Sequence, residues 1–586
     1  MAPSTPENGL DKAAFKDLVA TFGFQMTPQD EADYFALVKG MEDEVHEVET
    51  LPAYIDPRLV PSVATPVSAR TYSVPDKSDN PLNAWSHRFT LKDDAAVATG
   101  ILAGRTVALK DNISVAGIPL TLGTHPYQLS TSPDMPYPVP SIDAPIVTRL
   151  VESGGVILGT STCENYCMSG LSDTSATGPV ENPWLKGYAA GGSSSGSGAL
   201  LAISAVKKWH QKRSLPLDEG QLAEGVDLAI GCDQGGSIRF PVAYSGVYGL
   251  KPTHGLVPYT GIGSLHPICD YAGPMATSIS DVALLLSAIA GYDGIDPRAT
   301  PETPLRKNVP AYHTLLEAAI AEKQASGGWT PTTAGKGLRV GLLKEGLALP
   351  KLDPNVAAVV RAAAAKFERL GATVVDVSAP LHSKGGAIWT ATMRGAAADV
   401  FLASKAPDLP AFTTTEVAAP ALTQEWFDIM TKSSPMVVTA ALGSAYMSDT
   451  ARFPHRYRSK AMAHLAQLRA AYDAILADVD VLLLPVTPSV GPPHTIKAAG
   501  ETGNVSALAM YELNLGVSDN TAPFNVTGHP ALAMPGGWAP AATSEGSGES
   551  KKLPVGIQLV GKHHDEVGVL LAASIWEVAG LGLDEE

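Results

Sequence analysis

Cysteine is scarce in this chain: Cys163, Cys167, Cys232 and Cys269 are all there is in 586 residues. Four thiols, so widely scattered, cannot make a disulfide scaffold for a protein of this length, and they fit a reducing compartment. Basic residues are also short, with 42 Lys and Arg against 59 Asp and Glu and a net charge of −17. Binding to nucleic acid or an anionic membrane needs cations that displace counterions from phosphates, so neither partner is expected. No apolar run reaches the length of a membrane span, and Met1 to Gly9 holds no apolar core that could serve as a signal peptide. The expectation is a cytoplasmic, soluble protein. With 45% hydrophobic and 17% charged residues, the chain has the material for two domains or one large α/β body.

Two regions are expected, 1–85 and 86–586. The first is helical and ends in a linker. Thr27, Pro28 and Asp30 form a helix start: an N-cap, a proline at the first helical position and an acid at the third. Tyr34, Leu37, Val38, Met41, Val45 and Val48 follow at helical spacing and need a surface to cover, in the same chain or a second subunit. From Pro57 to about Trp85 the chain is Pro/Ser-rich and reads as linker. Beyond it, "RTVALKDN", "GGVILGT", "VDLAIGCD", "GLRVGLLKE", "ATVVDVS" and "VDVLLLPVT" are short apolar runs. Helical stretches such as "APIVTRLVES", "ISDVALLLSAIAG" and "NVAAVVRAAAAKFERLG" lie between them, which predicts an α/β sheet covered on both faces. Segments 323–337 and 544–552 read as surface insertions.

One stretch resists this scheme. "AGGSSSGSGALLAISAV", residues 190–206, sets a Ser/Gly run directly against an apolar segment. A flexible tether belongs at a domain boundary, and this run lies inside the α/β body. Gly192 to Gly196 matches the nucleophile elbow G-x-S-x-G, which would make Ser194 the nucleophile, but no strand precedes it. A phosphate cradle at a helix start is the other reading, although the lysine-bearing nucleotide-loop motif is absent.

The order of three blocks decides. "VALKDN", "GGSSSGSG" and "DQGGSIRFP" together resemble the signature of the amidase signature family of serine hydrolases. "NPW" at 182–184, "GLKPTHGLVP" at 249–258, "NTAPFNVTGHPAL" at 520–532 and "LPVGIQLVG" at 553–561 extend the likeness over nearly the whole chain. The pattern is nearest to the amidases associated with nitrile hydratases and their fungal relatives, which share the helical start and the stretch from Asn80 to Trp85. The resemblance implies the amidase signature fold, a large mixed β-sheet core with helices on both faces and an N-terminal helical region. It also implies an amidase that turns small primary amides into acid and ammonia without cofactor or metal.

By the same resemblance Ser237 is the nucleophile, Ser193 the bridging serine after a cis peptide bond from Gly192, and Lys110 the base. The backbone N–H groups of Gln234, Gly235, Gly236 and Ser237 make the oxyanion hole, and Ser194, Asp233 and Arg239 hold the serines in place. A free lysine, with a pKa of about 10.4, is almost wholly charged at neutral pH, so a basic Lys110 must be desolvated. Hydroxyl partners without a carboxylate would serve that end. Asp111 follows Lys110 but, on a strand, points to the opposite face.

One departure stands out. Ser193 and Ser237 lie 44 positions apart, farther than the family usually keeps them. The excess, near 206–225, reads as a solvated surface insertion. Cys163 and Cys167 flank Glu164 and could suggest a thiol amidase, although this subfamily has a Cys-Glu segment lining its site, so packing or pocket wall is the reading adopted. The histidines, His529 and the pair His563 and His564 among them, form no recognisable set with a carboxylate. Carbamates present a similar carbonyl and are an alternative substrate. Further readings are a non-catalytic binding protein and the amidase subunit of a tRNA-dependent amidotransferase; acidity opposes the latter. Pocket walls are sought in 163–175, 386–450 and 487–520, and a homodimer is expected by analogy.

Overall fold

A computed structural model describes residues 9–580 and 583, apart from 53, 63, 131, 394–416, 418–419, 496–505 and 543–550. Two compact units emerge, Met1–Val60 and Pro61–Glu586. The first holds helices Lys12–Thr21 and Pro28–Glu49. Thr27 and Asp30 close a capping box at the second helix, and Phe15 meets Phe35 edge-on at 5.7 Å between the two. The stripe of Tyr34, Leu37, Met41, Val45 and Val48 is left exposed.

The second unit is built on thirteen strands among the described residues: β1 (Trp85–Leu91), β2 (Thr106–Lys110), β3 (Val156–Ser161), β4 (Glu181–Asn182), β5 (Leu185–Ala189), β6 (Leu228–Cys232), β7 (Tyr248–Lys251), β8 (Ala272–Ala276), β9 (Arg339–Leu343), β10 (Thr373–Val377), β11 (Val481–Pro485), β12 (Ala531–Pro540) and β13 (Lys552–Val560). Eleven of them form one sheet in the order β1-β3-β2-β6-β8-β7-β12-β13-β11-β9-β10. β3, β2 and β6 are mutually parallel, as are β11, β9 and β10, and antiparallel pairs join the two groups through β8, β7, β12 and β13. The sheet is therefore mixed and carries helices on both faces.

Alternation along β2 sorts its side chains. Val107 and Leu109 join the core formed with helices Pro145–Glu152 and Ile279–Ile289. Ala108 joins the opposite core, with helix Ser195–Lys212. Lys110, two residues on, shares the face of Ala108 and emerges beneath the start of that helix. β2 and β6 pair in parallel through Leu109 and Ile230, so Lys110 and the residues after Cys232 leave the sheet at one edge. Side chains gathered at the carboxyl ends of parallel strands are the natural outcome of this topology.

Two boundaries differ from the sequence reading. The stretch 61–85 is not a free linker: Arg70 forms a two-point pair with Asp143, at 2.7 Å for each contact, and Asn80 and Leu82 are buried. Residues 206–225 are not simply solvated either. The helix continues to Lys212, where Trp209 meets Trp184 and Trp538 at 5.8 and 5.6 Å, and Leu222 is buried on the return. Two of the aromatics thus come from distant strands and turns, which nothing local to the insertion signals. The predicted insertion at 544–552 falls mainly outside the described residues, while 323–337 is a largely exposed connection with Ala334 buried. Among the described residues no helix is long and apolar enough to cross a membrane.

Trp209→Ala checks the packing of the insertion. Truncating a half-buried indole in an aromatic cluster should cost about 2 kcal/mol, below the 3–5 of a fully buried ring. The check is the denaturant midpoint, which a solvated excursion would leave unmoved.

Candidate active site

Lys110 and Ser193 meet at the edge defined by β2 and β6, and the backbone of Ser237 lies beside them. The Lys110 amine, fully buried, donates to Ser193 Oγ at 2.8 Å. The Gly192–Ser193 peptide is cis. Ser194 N–H donates to the Ser237 carbonyl at 3.3 Å, which ties the two serine segments together across their 44 residues. Ser194 Oγ accepts from Cys232 N–H and donates to Cys232 C=O, each at 3.3 Å, and so seats the run on the end of β6.

The Ser/Gly run is the jammed first turn of helix Ser195–Lys212. A Cβ on Gly196 would lie 2.2 Å from the Ala84 carbonyl oxygen, so no larger residue fits. The serines are buried hydroxyls with partners: Ser197 Oγ meets Ser161 Oγ at 2.7 Å, and Ser195 donates to Glu164 at 2.8 Å. Glu164, pushed up to about 7 by burial, also accepts from the Thr174 backbone and hydroxyl. Nothing here is a tether.

The turn after β6 is held by charge. Asp233 and Arg239 pair at 2.9 Å with no exposure of either side chain. Arg239 also donates to the Thr521 carbonyl, to Gln558 Oε1 and to Asn525 Oδ1. Burial alone would raise the Asp233 carboxyl, but Arg239 and a hydrogen bond from Asn525 outweigh it and hold the group at about 2. Asp233 accepts from the N–H groups of Gly236, at 2.6 Å, and Ile238, at 3.2 Å. Gly236 has φ +141°, and a Cβ there would lie 2.1 Å from the Phe240 ring. One expected oxyanion donor is thereby corrected: the Gly236 N–H is engaged by a carboxylate. Among the described residues, no protein partner takes the N–H groups of Gln234, Gly235 and Ser237. Trp389 Nε1 donates to the Gln234 carbonyl at 2.8 Å, and the Thr521 hydroxyl donates to that of Gly235.

Lys110 does not have hydroxyl partners alone. Burial is the largest influence on its amine and pushes it down, yet Cys167, Cys232, Cys163 and Asp233 push it up and prevail. Burial holds the Cys232 thiol at about 12 and pushes Cys163 well above its ordinary range. Cys167 is different: its interaction with Cys163, 4.0 Å away between sulfurs, lowers its thiol, and the nearby Lys110 charge lowers it further. Cys167 is thus the thiol that favours a charged Lys110. Asp111 is turned away, accepting from Ser86 at 2.6 Å and from Thr121.

A cavity of about 320 Å³ opens on this edge, and Ser237, Gln234, Gly235 and Cys167 line it. Its apolar wall includes Met168, Phe240, Leu265, Trp389, Met436 and Leu515. These come from the segments sought for pocket walls, except Phe240 and Leu265; parts of 386–450 and 487–520 lie outside the described residues. Thr521 and Asn525 belong to the motif at 520–532, but only the fold carries them to a turn nearly three hundred positions away.

A family model described as Amidase matches residues 81–207 and 223–570, leaving out the middle of the insertion. The chain is 33% identical over 531 residues to an enantioselective amidase of Rhodococcus rhodochrous, covering 90% of this chain and 89% of that one. It is 32% identical over 495 residues to a glutamyl-tRNA(Gln) amidotransferase subunit of Synechococcus sp. (strain CC9605), covering 83% and 84%. Among solved structures, a bacterial aryl acylamidase of the amidase signature family superposes with a TM-score of 0.62 at 20% identity, covering 86% of this chain and 90% of the other. The native peptide amidase of Stenotrophomonas maltophilia gives 0.56 at 24%, covering 82% and 84%, and both likenesses concern the fold.

Arg239→Met keeps an apolar stem but strands the Asp233 carboxylate in the interior. The expected loss is roughly 3–5 kcal/mol of stability by denaturant titration. Adding Asp233→Asn should recover part of it; an unchanged midpoint in the single variant would contradict the assignment.

Proposed function

This chain belongs to the amidase signature family, and from that premise we propose that it hydrolyses the C–N bond of primary amides whose acyl group is bulky and apolar. The observation that carries the reading is the buried 2.8 Å contact from Lys110 to Ser193, beside the cavity that Ser237 lines. In the minor fraction where Lys110 is neutral, since its neighbours raise its amine, Lys110 accepts a proton from Ser193 as Ser193 takes one from Ser237, and the Ser237 oxygen attacks the amide carbonyl. N–H groups of the turn, those of Gln234, Gly235 and Ser237 being the ones without an internal partner, receive the oxyanion. The proton returns through Ser193 to the leaving nitrogen, the C–N bond breaks, ammonia departs and water hydrolyses the Ser237 ester.

The substrate class rests on the wall. A cavity of about 320 Å³ faced by Met168, Phe240, Leu265 and Trp389 is larger and more apolar than acetamide requires. The name of the Rhodococcus relative, an enantioselective amidase, agrees with an acyl group large enough to have handedness. The net charge of −17 favours a free amide over one carried on tRNA.

Ammonia release from acetamide, benzamide and ethyl carbamate tests this. Burying a phenyl ring is worth about 1.5–3 kcal/mol, so kcat/KM should favour benzamide over acetamide by about tenfold or more. Ser237→Ala and Lys110→Ala should each lower kcat about a thousandfold or more, with the fold intact by circular dichroism. Activity retained in Ser237→Ala would overturn the assignment.

Cys167→Ala tests the electrostatics separately. Removing a group that raises the Lys110 pKa makes the amine neutral at lower pH, so the acid limb of the kcat/KM profile should move to lower pH. A limb that stays or moves up would exclude Cys167 as that group.

A further inference from the structure

Away from the cavity, the fold gathers three side chains that the sequence reading left apart. Asp473 lies on helix Arg456–Leu476, His529 follows helix Ala522–Thr527, and His563 follows β13. Each offers one ligand atom, and the three atoms lie within 4.8 Å of one another. From this geometry we propose that Asp473, His529 and His563 bind a divalent transition-metal ion of the zinc class.

The distances fit. His529 Nε2 is 3.0 Å and His563 Nδ1 3.5 Å from the same Asp473 Oδ1. Tetrahedral bonds of about 2.0–2.1 Å set ligand atoms roughly 3.3–3.4 Å apart, between those two values. The tautomer argues independently. His563 Nε2 lies 3.0 Å from the Thr527 carbonyl, which can only accept, so Nε2 carries the hydrogen. In the neutral ring Nδ1 then presents a lone pair to a carboxylate oxygen, and two electron-rich atoms face each other unless a cation or a second proton lies between. His529 Nδ1 lies 3.0 Å from the Thr527 hydroxyl. One residue thus orients both rings by their outer nitrogens, as the surroundings of metal-bound imidazoles do.

Two imidazoles and one carboxylate suit Zn²⁺, Co²⁺ or Ni²⁺ better than calcium or magnesium. Asp473 is half exposed, which leaves an open side for a water ligand and for entry. The nearby Arg469 guanidinium donates to the Thr527 carbonyl at 2.7 Å. An ion here would clip three elements together behind helix Ala522–Thr527, which carries Asn525 to Asp233 and follows directly on Thr521, bound to Gly235.

The test uses the full-length protein after chelator treatment, titrated with Zn²⁺ by calorimetry and with Co²⁺ by visible absorption. One equivalent should bind, with a tetrahedral cobalt spectrum and a raised Tm. His563→Ala and Asp473→Ala, both at accessible positions, should lose the bound equivalent and the Tm gain. Thr527→Val should weaken binding roughly 10- to 100-fold. A Cys163→Ser, Cys167→Ser double variant should bind as the parent does, which separates this site from the thiols. No bound equivalent in the parent would overturn the proposal in favour of a proton shared within the His–Asp–His cluster, and binding undiminished in His563→Ala and Asp473→Ala would overturn it in favour of a different site. None of these readouts depends on amide hydrolysis.

Discussion

The buried pair of Asp233 and Arg239 is the interaction on which the candidate site depends. Taking both charges out of water costs several kcal/mol per ion unless every remaining donor and acceptor is met. Here they are met on all sides, by Thr521, Asn525, Gln558 and two backbone N–H groups of the turn itself. The pair brackets Gln234 to Ile238, so the loop that carries Ser237 is pinned at both ends by groups that cannot leave without stranding a charge. A turn fixed in this way keeps its N–H groups oriented before any substrate arrives, which is the condition for electrostatic stabilisation of an oxyanion.

Steric restriction supplies the other half. Small residues at 192–198 let a helix start press against the edge of β3 and β6, and the buried hydroxyls replace bulk with directional contacts. Alternation along β2 then delivers Lys110 to that helix start and sends Asp111 away from it. The amine stands among sulfur as well as oxygen. Cys167 makes the proton affinity of Lys110 a property of a pair, of which only Cys167 stands on the cavity wall.

The parallel strands are legible in the sequence because burial on both faces makes a strand a nearly continuous apolar run, as in "VDLAIGCD" and "VDVLLLPVT". The antiparallel connectors are not. β8 reads "AGPMA" and β12 "ALAMPGGWAP", where glycine, proline and alanine disguise strands that sit mid-sheet. Lys110, Ser193 and Ser237 are found through the family resemblance, and the fold brings them to one edge. What cannot be read is distance in space. The Trp209 cluster, the engagement of the Gly236 N–H by Asp233, the thiols around Lys110 and the approach of Asp473 to His529 and His563 all join residues whose separation in sequence carries no local signature.

Strands β12 and β13, far along the chain, lie in the middle of the sheet, between β7 and β11. Lys110, Ser193 and Ser237 are all translated long before them, and so is the Asp233–Arg239 pair. The residues that saturate that pair, from Thr521 to Gln558, leave the ribosome much later. A nascent chain therefore holds Lys110, Ser193 and Ser237 before the partners that saturate the Asp233–Arg239 pair and the strands that join the two halves of the sheet have been made. A chain ending before Thr521 keeps the hydroxyls and the amine without the groups that saturate the buried ion pair beside them.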